Sequence, residues 1–394
     1  MKKMTRQDDL AFYRGKRVLL TGHTGFKGIW LSKLLLGAGA HLTGFSLASP
    51  TADGARLFEK LKLADSMRSI EGDVRDLASL REVFRETRPE IVVHLAAQPL
   101  VRESYRTPVE TYAVNVMGTA HVLECVRESD TVRSFLNVTT DKVYENKEWE
   151  WGYREDERLM GFDPYSNSKS CAELVTASYR QSFFADGGVR ISTARAGNVI
   201  GGGDFAPDRI IPDCIRAAVR GAVIDIRNPH STRPYQHVLE PLAVYLAIAA
   251  RQAEDERFVG AWNVGPDDAD CVTTGELADI FCRAWGEGVR WQTHADGGPH
   301  EAHFLKLDCS KLKAQLGWKL RWHIAEAVAR TVEWAKAWEE GADMRAVTEA
   351  HILCNGRRYT HAVTEFRQEF IGYGSCTDIL NTWIYSNARD VIEK

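Results

Sequence analysis

Seven residues, Gly22-His23-Thr24-Gly25-Phe26-Lys27-Gly28, separate a short apolar run at 17–20 from an amphipathic stretch at 29–36. This G-x-x-G-x-x-G spacing constrains the chain most. Glycines at that interval let backbone N–H groups at a helix N-terminus approach a pyrophosphate. A glycine triad alone is weak evidence, but its place after an amino-terminal strand and before an amphipathic helix makes it strong. The competing explanation is a turn whose glycines serve only tight strand-to-helix packing.

The segments that follow repeat the alternation. Residues 17–20, 41–45, 69–71, 91–95, 135–138 and 190–194 read as strands. Helix-period stretches at 77–85, 109–128 and 172–182 lie between them, and parallel pairing requires such crossovers. The expectation is an α/β fold, a doubly wound parallel sheet of Rossmann type. From Gly197 onward the pattern is irregular and rich in Gly, Pro and Asp, then helical again at 241–251 and 274–285. This predicts a second, smaller, discontinuous substrate-binding region. The expected division is 12–196, with 236–260 returning to it, for the dinucleotide, and 197–235 with 261–343 for the substrate. The extension at 344–394 has scattered aromatics and no assignable chemistry.

Composition excludes some functions. A net charge of −4 over 394 residues argues against a sequence-independent nucleic-acid binder. The 8 cysteines are scattered without a C-x-x-C pair, so reduced thiols of a cytoplasmic enzyme are expected. The polar amino terminus does not resemble a signal peptide, and no apolar run approaches membrane-spanning length.

Two further strand ends complete the expected cofactor site. Asp73-Val74 offers a carboxylate to an adenine amino group, and Leu95-Ala96-Ala97 is small enough for close approach of a dinucleotide. The end of the second strand, Gly44-Phe45-Ser46-Leu47-Ala48, carries no acid for the adenosine ribose and leaves NAD and NADP both open. Lys27 either favours a 2′-phosphate or, as is usual for a lysine in a first helical turn, is solvated.

Tyr165-Ser166-Asn167-Ser168-Lys169 opens a helical run, placing Tyr165 and Lys169 one turn apart on one face. An ammonium there lowers the phenol pKa, so the phenolate can take a proton from a sugar hydroxyl while hydride leaves the same carbon. Directly after the fifth strand come Thr139, Thr140, Asp141 and Lys142, at the carboxyl edge where open α/β sheets bind ligands. Either threonine can hydrogen-bond the reacting hydroxyl.

The glycine loop, Thr-Thr-Asp-Lys and Tyr-x-x-x-Lys together resemble the extended short-chain dehydrogenase/reductase family, in its NAD-dependent epimerase/dehydratase branch. Similar segments include 96–102, 148–155, 163–169, 197–204, 233–241 and 299–303, with coverage from about residue 12 to 338. The resemblance implies a lyase that binds NAD and removes water across C5 and C6 of a nucleotide sugar, with CDP-glucose the expected substrate. It implies Tyr165, Lys169 and Thr140 as the C4 oxidation machinery, Asp141 as the acid at C6 and Lys142 as the candidate base at C5. For Lys142 a plain pairing with Asp141 competes. The implied cofactor set is Gly22, Thr24, Gly25, Phe26, Lys27, Gly28, Asp73, Val74, Leu95, Ala96, Ala97, Thr139, Tyr165 and Lys169. Asn198, Arg209, Arg233, His237 and His303 are the implied substrate residues.

A homodimer joined through 109–128 and 172–182 is implied as well, and no metal is expected, since His300 and His303 lack further ligands. Trp149 and Trp151 could line the site or pack against the sheet edge. Two departures stand out: Ser170 follows Lys169 where glycine is frequent, and Tyr235 stands where tryptophan is common. An epimerase or reductase of the same family is the alternative enzyme, and a non-catalytic dinucleotide binder the alternative from another class.

Overall fold

The computed structural model describes residues 6–294 and 303–356. Its centre is a seven-stranded sheet. The six expected strands are β1 (Arg17–Thr21), β2 (His41–Ser46), β3 (Arg68–Glu71), β4 (Ile91–His94), β5 (Ser134–Thr140) and β6 (Arg190–Ala196). The seventh, Gly260–Val264, was not foreseen and pairs with β6 from Gly260 opposite Ser192 to Val264 opposite Ala196. The order runs β3-β2-β1-β4-β5-β6 and then Gly260–Val264, all parallel.

Central strands bury both faces, so they read as unbroken apolar runs, and their side chains alternate between two cores. Val18 and Leu20 of β1 enter a core with Trp30, Tyr245 and Trp262, whereas Leu19 joins Val92, Phe135 and Ile191 on the opposite face. Helix starts follow local chemistry. Asp76 accepts from the N–H groups of Ala78 and Ser79 at the head of Leu77–Thr87. Asp163 accepts from the Ser166 N–H at 2.9 Å and Pro164 fills the first position of the 20-residue helix Pro164–Phe183. The expected helix at 109–128 is three consecutive pieces, Pro108–Tyr112, a π-helical turn Ala113–Met117, and Gly118–Glu128.

The second region is built from small pairs. Val199–Ile200 lies beside Gln236–His237, Thr232–Pro234 beside Cys271–Thr273, and Ile224–Ile226 beside Trp291–Thr293. Helices Ile210–Val219, Thr274–Trp285 and Ile324–Glu339 enclose a separate core around Cys214, Phe281 and Val328. The carboxyl-terminal stretch is structural at its start: Met344–Cys354 is a helix whose Met344, Val347 and Ile352 enter the main core. Lys33 pairs with Glu349 at 2.7 Å, holding that helix to the helix Phe26–Gly37. The rest of the extension lies outside the described residues.

Cys125, Cys171, Cys214, Cys271, Cys282 and Cys309 are free thiols, while Cys354 is disulfide-bonded, against the expectation of reduced cysteines throughout. Among the described residues no helix is long and apolar enough to cross a membrane.

Candidate active site

Where β1 ends, the backbone turns at Gly22 with φ +77°, and a Cβ there would lie 2.7 Å from the Ala96 nitrogen. Only glycine lets the β1 and β4 loops meet so closely. At Gly28 a Cβ would lie 2.1 Å from the Gly22 carbonyl oxygen and 2.6 Å from the His23 Cα. Gly25 stands at the N-cap of Phe26–Gly37 with no side-chain cap, and nothing comes nearer its added Cβ than 3.5 Å. The first N–H groups of that helix are therefore free of side-chain competition at a bare, positively polarised end.

This end opens on a cleft of about 1160 Å³. Every residue of the expected cofactor set lines it, as do Thr140, Asp141, Lys142, Asn198, Arg209 and Arg233. Two expected substrate residues are elsewhere. His237 is fully buried among aromatic rings, 4.7 Å from Trp322 and 6.1 Å from Trp30 between centroids. His303 is exposed, with its N–H donating to Glu148 Oε1 at 2.6 Å, and is not part of the cleft wall. His300 lies outside the described residues. Trp149 stacks on Tyr153 at 5.4 Å and meets Trp151 edge-on at 6.0 Å, so this pair packs outside the cleft lining.

The adenosine end of the cleft is neutral at β2. Ser46 Oγ lies 2.8 Å from Thr24 Oγ1 and 3.0 Å from His23 Nδ1. Burial pushes the His23 imidazole down to about 4, so it is uncharged near neutral pH. Beyond β3, Asp73 is held by the Arg75 guanidinium, whose hydrogen bonds keep the carboxyl below its usual range.

At the opposite end, Lys169 Nζ donates to the Val138 carbonyl at 3.2 Å. Burial lowers Lys169 to about 8, against the opposing pull of Glu173 one turn further on. Glu173 forms a buried ion pair with Arg195 at 2.8 Å and also accepts from Thr139 and Thr193. The helix carrying Tyr165 and Lys169 is thus anchored to both β5 and β6. Burial pushes the Tyr165 phenol up to about 12, while a hydrogen bond with Thr140 pulls the other way.

Asp141 is 1% exposed, and burial raises its pKa against the charges of Lys142, Arg233 and Lys27. Thr140 Oγ1 donates to Asp141 Oδ1 at 3.0 Å. Among the described residues Lys142 makes no ion pair, so direct pairing with Asp141 is not what holds it. Lys27 departs from the solvated alternative. It reaches into the cleft with Nζ 5.9 Å from the centre of the Tyr245 ring, and burial followed by Arg209 and Lys169 lowers it to about 8.

Other cleft residues carried no earlier assignment. Arg102, Asp204, Arg216, Arg220, Arg227 and Tyr235 all line the wall. Asp204 binds Arg209 at 2.9 Å, and the Tyr235 hydroxyl lies 3.2 Å from Thr274 Oγ1. Arg102, Asp204 and Tyr235 fall inside the similar segments, which was the available signal; the remaining arginines had none. Asp267, Asp270 and His323 cluster outside the cleft, but Lys313 already pairs with Asp267 at 2.6 Å and His323 with Asp270 at 2.8 Å.

This geometry can be set beside known proteins. Residues 19–331 match the GDP-mannose 4,6 dehydratase family. The chain belongs to that family. A relative, the CDP-glucose 4,6-dehydratase of Salmonella typhimurium, is 50% identical over 350 residues, spanning 87% of this chain and 97% of the relative. The dTDP-glucose 4,6-dehydratase of Streptomyces antibioticus is 28% identical, spanning 69% of this chain and 78% of its own. Among solved structures, an epimerase of Methanothermobacter thermautotrophicus superposes with a TM-score of 0.75 at 22% identity, covering 86% of this chain and 98% of that one. A dTDP-glucose 4,6-dehydratase of Bacillus anthracis in complex with NAD gives 0.69 at 19% identity, covering 82% and 99%. The seven-stranded architecture is thus that of the dehydratase family and of its epimerase neighbours alike.

Proposed function

We propose that this member of the family is an NAD-dependent lyase that converts CDP-glucose to CDP-4-dehydro-6-deoxyglucose. The observation that carries the reading is the buried carboxyl of Asp141, raised in pKa and set in the same cleft as Tyr165 and Lys169. Epimerisation or ketone reduction needs only the phenol and its neighbours, whereas loss of the C6 hydroxyl needs an acid, and burial favours the protonated form of this carboxyl. The half-identical CDP-glucose dehydratase supports the nucleotide and the sugar.

The cleft fits NAD. Gly22 and Gly28 let the loop pack backbone against backbone where any Cβ would collide, and the uncapped helix end this leaves in the cleft supplies N–H donors for a pyrophosphate. Gly22 to Gly28, Asp73, Val74, Leu95 to Ala97 and Thr139 would hold it. When bound, NAD would supply a reversible hydride acceptor for the oxidation at C4 and the reduction at C6. The chain's own residues move the protons. Tyr165 takes the C4 hydroxyl proton, aided by the Lys169 ammonium. The resulting ketone acidifies C5, whose proton Lys142 removes. Asp141 protonates the departing C6 hydroxyl. Asn198, Arg209 and Arg233 face the nucleotide diphosphate.

By this reading 12–196 with 236–260 serves the cofactor, and 197–235 with 261–343 serves the substrate. A homodimer forms through the helices around 109–128 and 172–182, supported by the exposure of Val109, Met117, Leu174 and Phe183 on them. Light scattering at micromolar concentration tests the dimer; a monomer alone would remove it.

The activity test uses CDP-glucose deuterated at C4. The label should reappear at C6, with a solvent proton at C5 and no accumulation of reduced cofactor. Loss of label to solvent, or stoichiometric release of NADH, would exclude dehydration.

A further inference from the structure

Behind the helix that carries Tyr165 lies a buried ion pair that the cycle above does not use. Glu173 stands one turn beyond Lys169 on the same face of Pro164–Phe183 and is 3% exposed. It is not among the residues lining the cleft, which puts it out of reach of cofactor and sugar. One carboxyl oxygen accepts from Thr139 Oγ1 at 2.5 Å, the other from Thr193 Oγ1 at 2.7 Å and Arg195 Nη2 at 2.8 Å. All three partners are donors, as an ionised carboxylate requires. Replacing a buried ion pair by packed apolar residues is often neutral or stabilising, so stability alone does not account for this one.

What the pair touches suggests its use. Lys169 Nζ donates to the Val138 carbonyl at 3.2 Å, and Thr139, the next residue, donates to Glu173. Lys169 and Glu173 thus grip adjacent residues of β5, directly before Thr140, Asp141 and Lys142. Residues four apart on a helix have Cβ atoms about 5–6 Å from each other. The ammonium and the carboxylate are therefore close enough to interact strongly in a buried setting, although the direct ion pair of Glu173 is with Arg195. Arg195 carries the link further, since its Nη1 donates to the Tyr144 hydroxyl and to the Glu155 carbonyl, each at 2.8 Å. Both belong to the segment that follows Lys142.

We propose that Glu173 is a positioning residue for the oxidation at C4, whose carboxylate holds the Lys169 ammonium in place against the end of β5 and acts only through Lys169 and Thr139. This rests on the roles given above to Tyr165 and Lys169. Lys169 must carry its charge to aid the phenol, and burial works against that charge. Around it stand Tyr165 and Glu173 on its own helix, His94 at the end of β4 and Lys27 in the glycine loop. Burial lowers His94 to about 3 and so keeps it neutral, and Lys27 repels, which leaves Glu173 as the opposing negative charge. Around Glu173 stand Arg195 from β6, Arg180 on the same helix and Tyr144. Without the carboxylate the ammonium gives up its proton at lower pH.

The test measures kcat and KM for CDP-glucose against pH in wild type, Glu173→Gln, Glu173→Asp and the double variant Glu173→Gln with Arg195→Met, all full-length and saturated with NAD. In parallel, the charge on Lys169 is followed without substrate by NMR of isotope-labelled lysine Cε, the signal being assigned by its loss in Lys169→Met. Glu173→Gln should move both the alkaline limb of kcat/KM and the Lys169 titration down by about 1–3 pH units, the usual effect of losing an adjacent opposite charge. The double variant, which leaves no buried guanidinium uncompensated, should move both in the same direction. Glu173→Asp keeps the charge but reaches less far, so its limb should stay with wild type while kcat falls. KM should hold in all of them, since no altered group faces the substrate. If Glu173→Gln lowers kcat equally at every pH and leaves the Lys169 titration where it was, Glu173 is merely structural and the proposal is overturned. A limb shifted as far in Glu173→Asp as in Glu173→Gln overturns it as well. Should Glu173→Gln fail to fold, the double variant decides by the same two readouts. A wild type that makes no 4-keto-6-deoxy product overturns the dehydratase reading, and the Lys169 titration, which needs no substrate, still decides whether Glu173 sustains its charge.

Discussion

On the cofactor side of the cleft the wall is backbone: Gly22 against Ala96 and Gly28 against Gly22, with no side chain between them. On the substrate side the wall is side chains carried by short strands and loops, with Arg209 tied to Asp204 and Arg233 buried beneath. A backbone wall has no rotamers, so it tolerates one residue type and fails abruptly. A side-chain wall loses its contacts one at a time. Sensitivity to mutation should therefore differ in kind between the two sides.

The largest effect expected is at Gly28. Gly28→Ala puts a methyl group into backbone that cannot rotate away, and NAD affinity by calorimetry should fall about a hundredfold or more. Retention of wild-type affinity would break the contrast. Arg209→Ala, across the cleft, removes a charged donor with a typical contribution of about 1.5–3 kcal/mol. KM for CDP-glucose should rise roughly tenfold to a hundredfold, with kcat changed far less. A collapse of kcat at constant KM would place Arg209 with the chemistry instead.

The alkaline limb of the pH profile limits the contrast. Lys169 is lowered to about 8, so its ammonium is present below that pH and lost above it. Because the phenolate needs that ammonium, kcat/KM should fall by up to about tenfold per unit above pH 8. NAD affinity should weaken over the same range, because Lys27 in the glycine loop is also lowered to about 8 by burial and loses its charge there. A profile flat to pH 10 would contradict the assignment of Lys169. Smallest is His303→Ala, which should leave KM within about twofold, as expected for an exposed site away from special contacts. A larger change would return His303 to the substrate wall.

The same difference explains what could be read in the amino-acid order alone. The glycine loop, the β5 end and Tyr165–Lys169 are short-range patterns at predictable strand and helix ends, and all reach the cleft. His237 carried the right chemistry in a similar segment, but the sequence does not say which way it faces. In the two-residue strand Gln236–His237 it turns toward Trp30 and Trp322. Lys27 looked like an ordinary first-turn lysine because the lobe that covers it begins far along the chain. Met344–Cys354 escaped notice because its buried residues answer to a core assembled elsewhere. The short strand Gly260–Val264 was hidden by its isolation between a 3-10 turn and a loop.

That strand also governs the order of manufacture. β6 finishes at Ala196, but its neighbour is not translated until Gly260 to Val264, after helix Leu239–Glu254, which supplies Tyr245 to the same core. A nascent chain that has emerged through β6 thus carries an unpaired edge and an uncovered apolar face while the intervening segment is still being synthesised. Open edges and exposed apolar faces are what chaperones and other nascent chains bind. A premature stop between residues 197 and 259 would leave a complete nucleotide loop on an aggregation-prone fragment, not a smaller working domain.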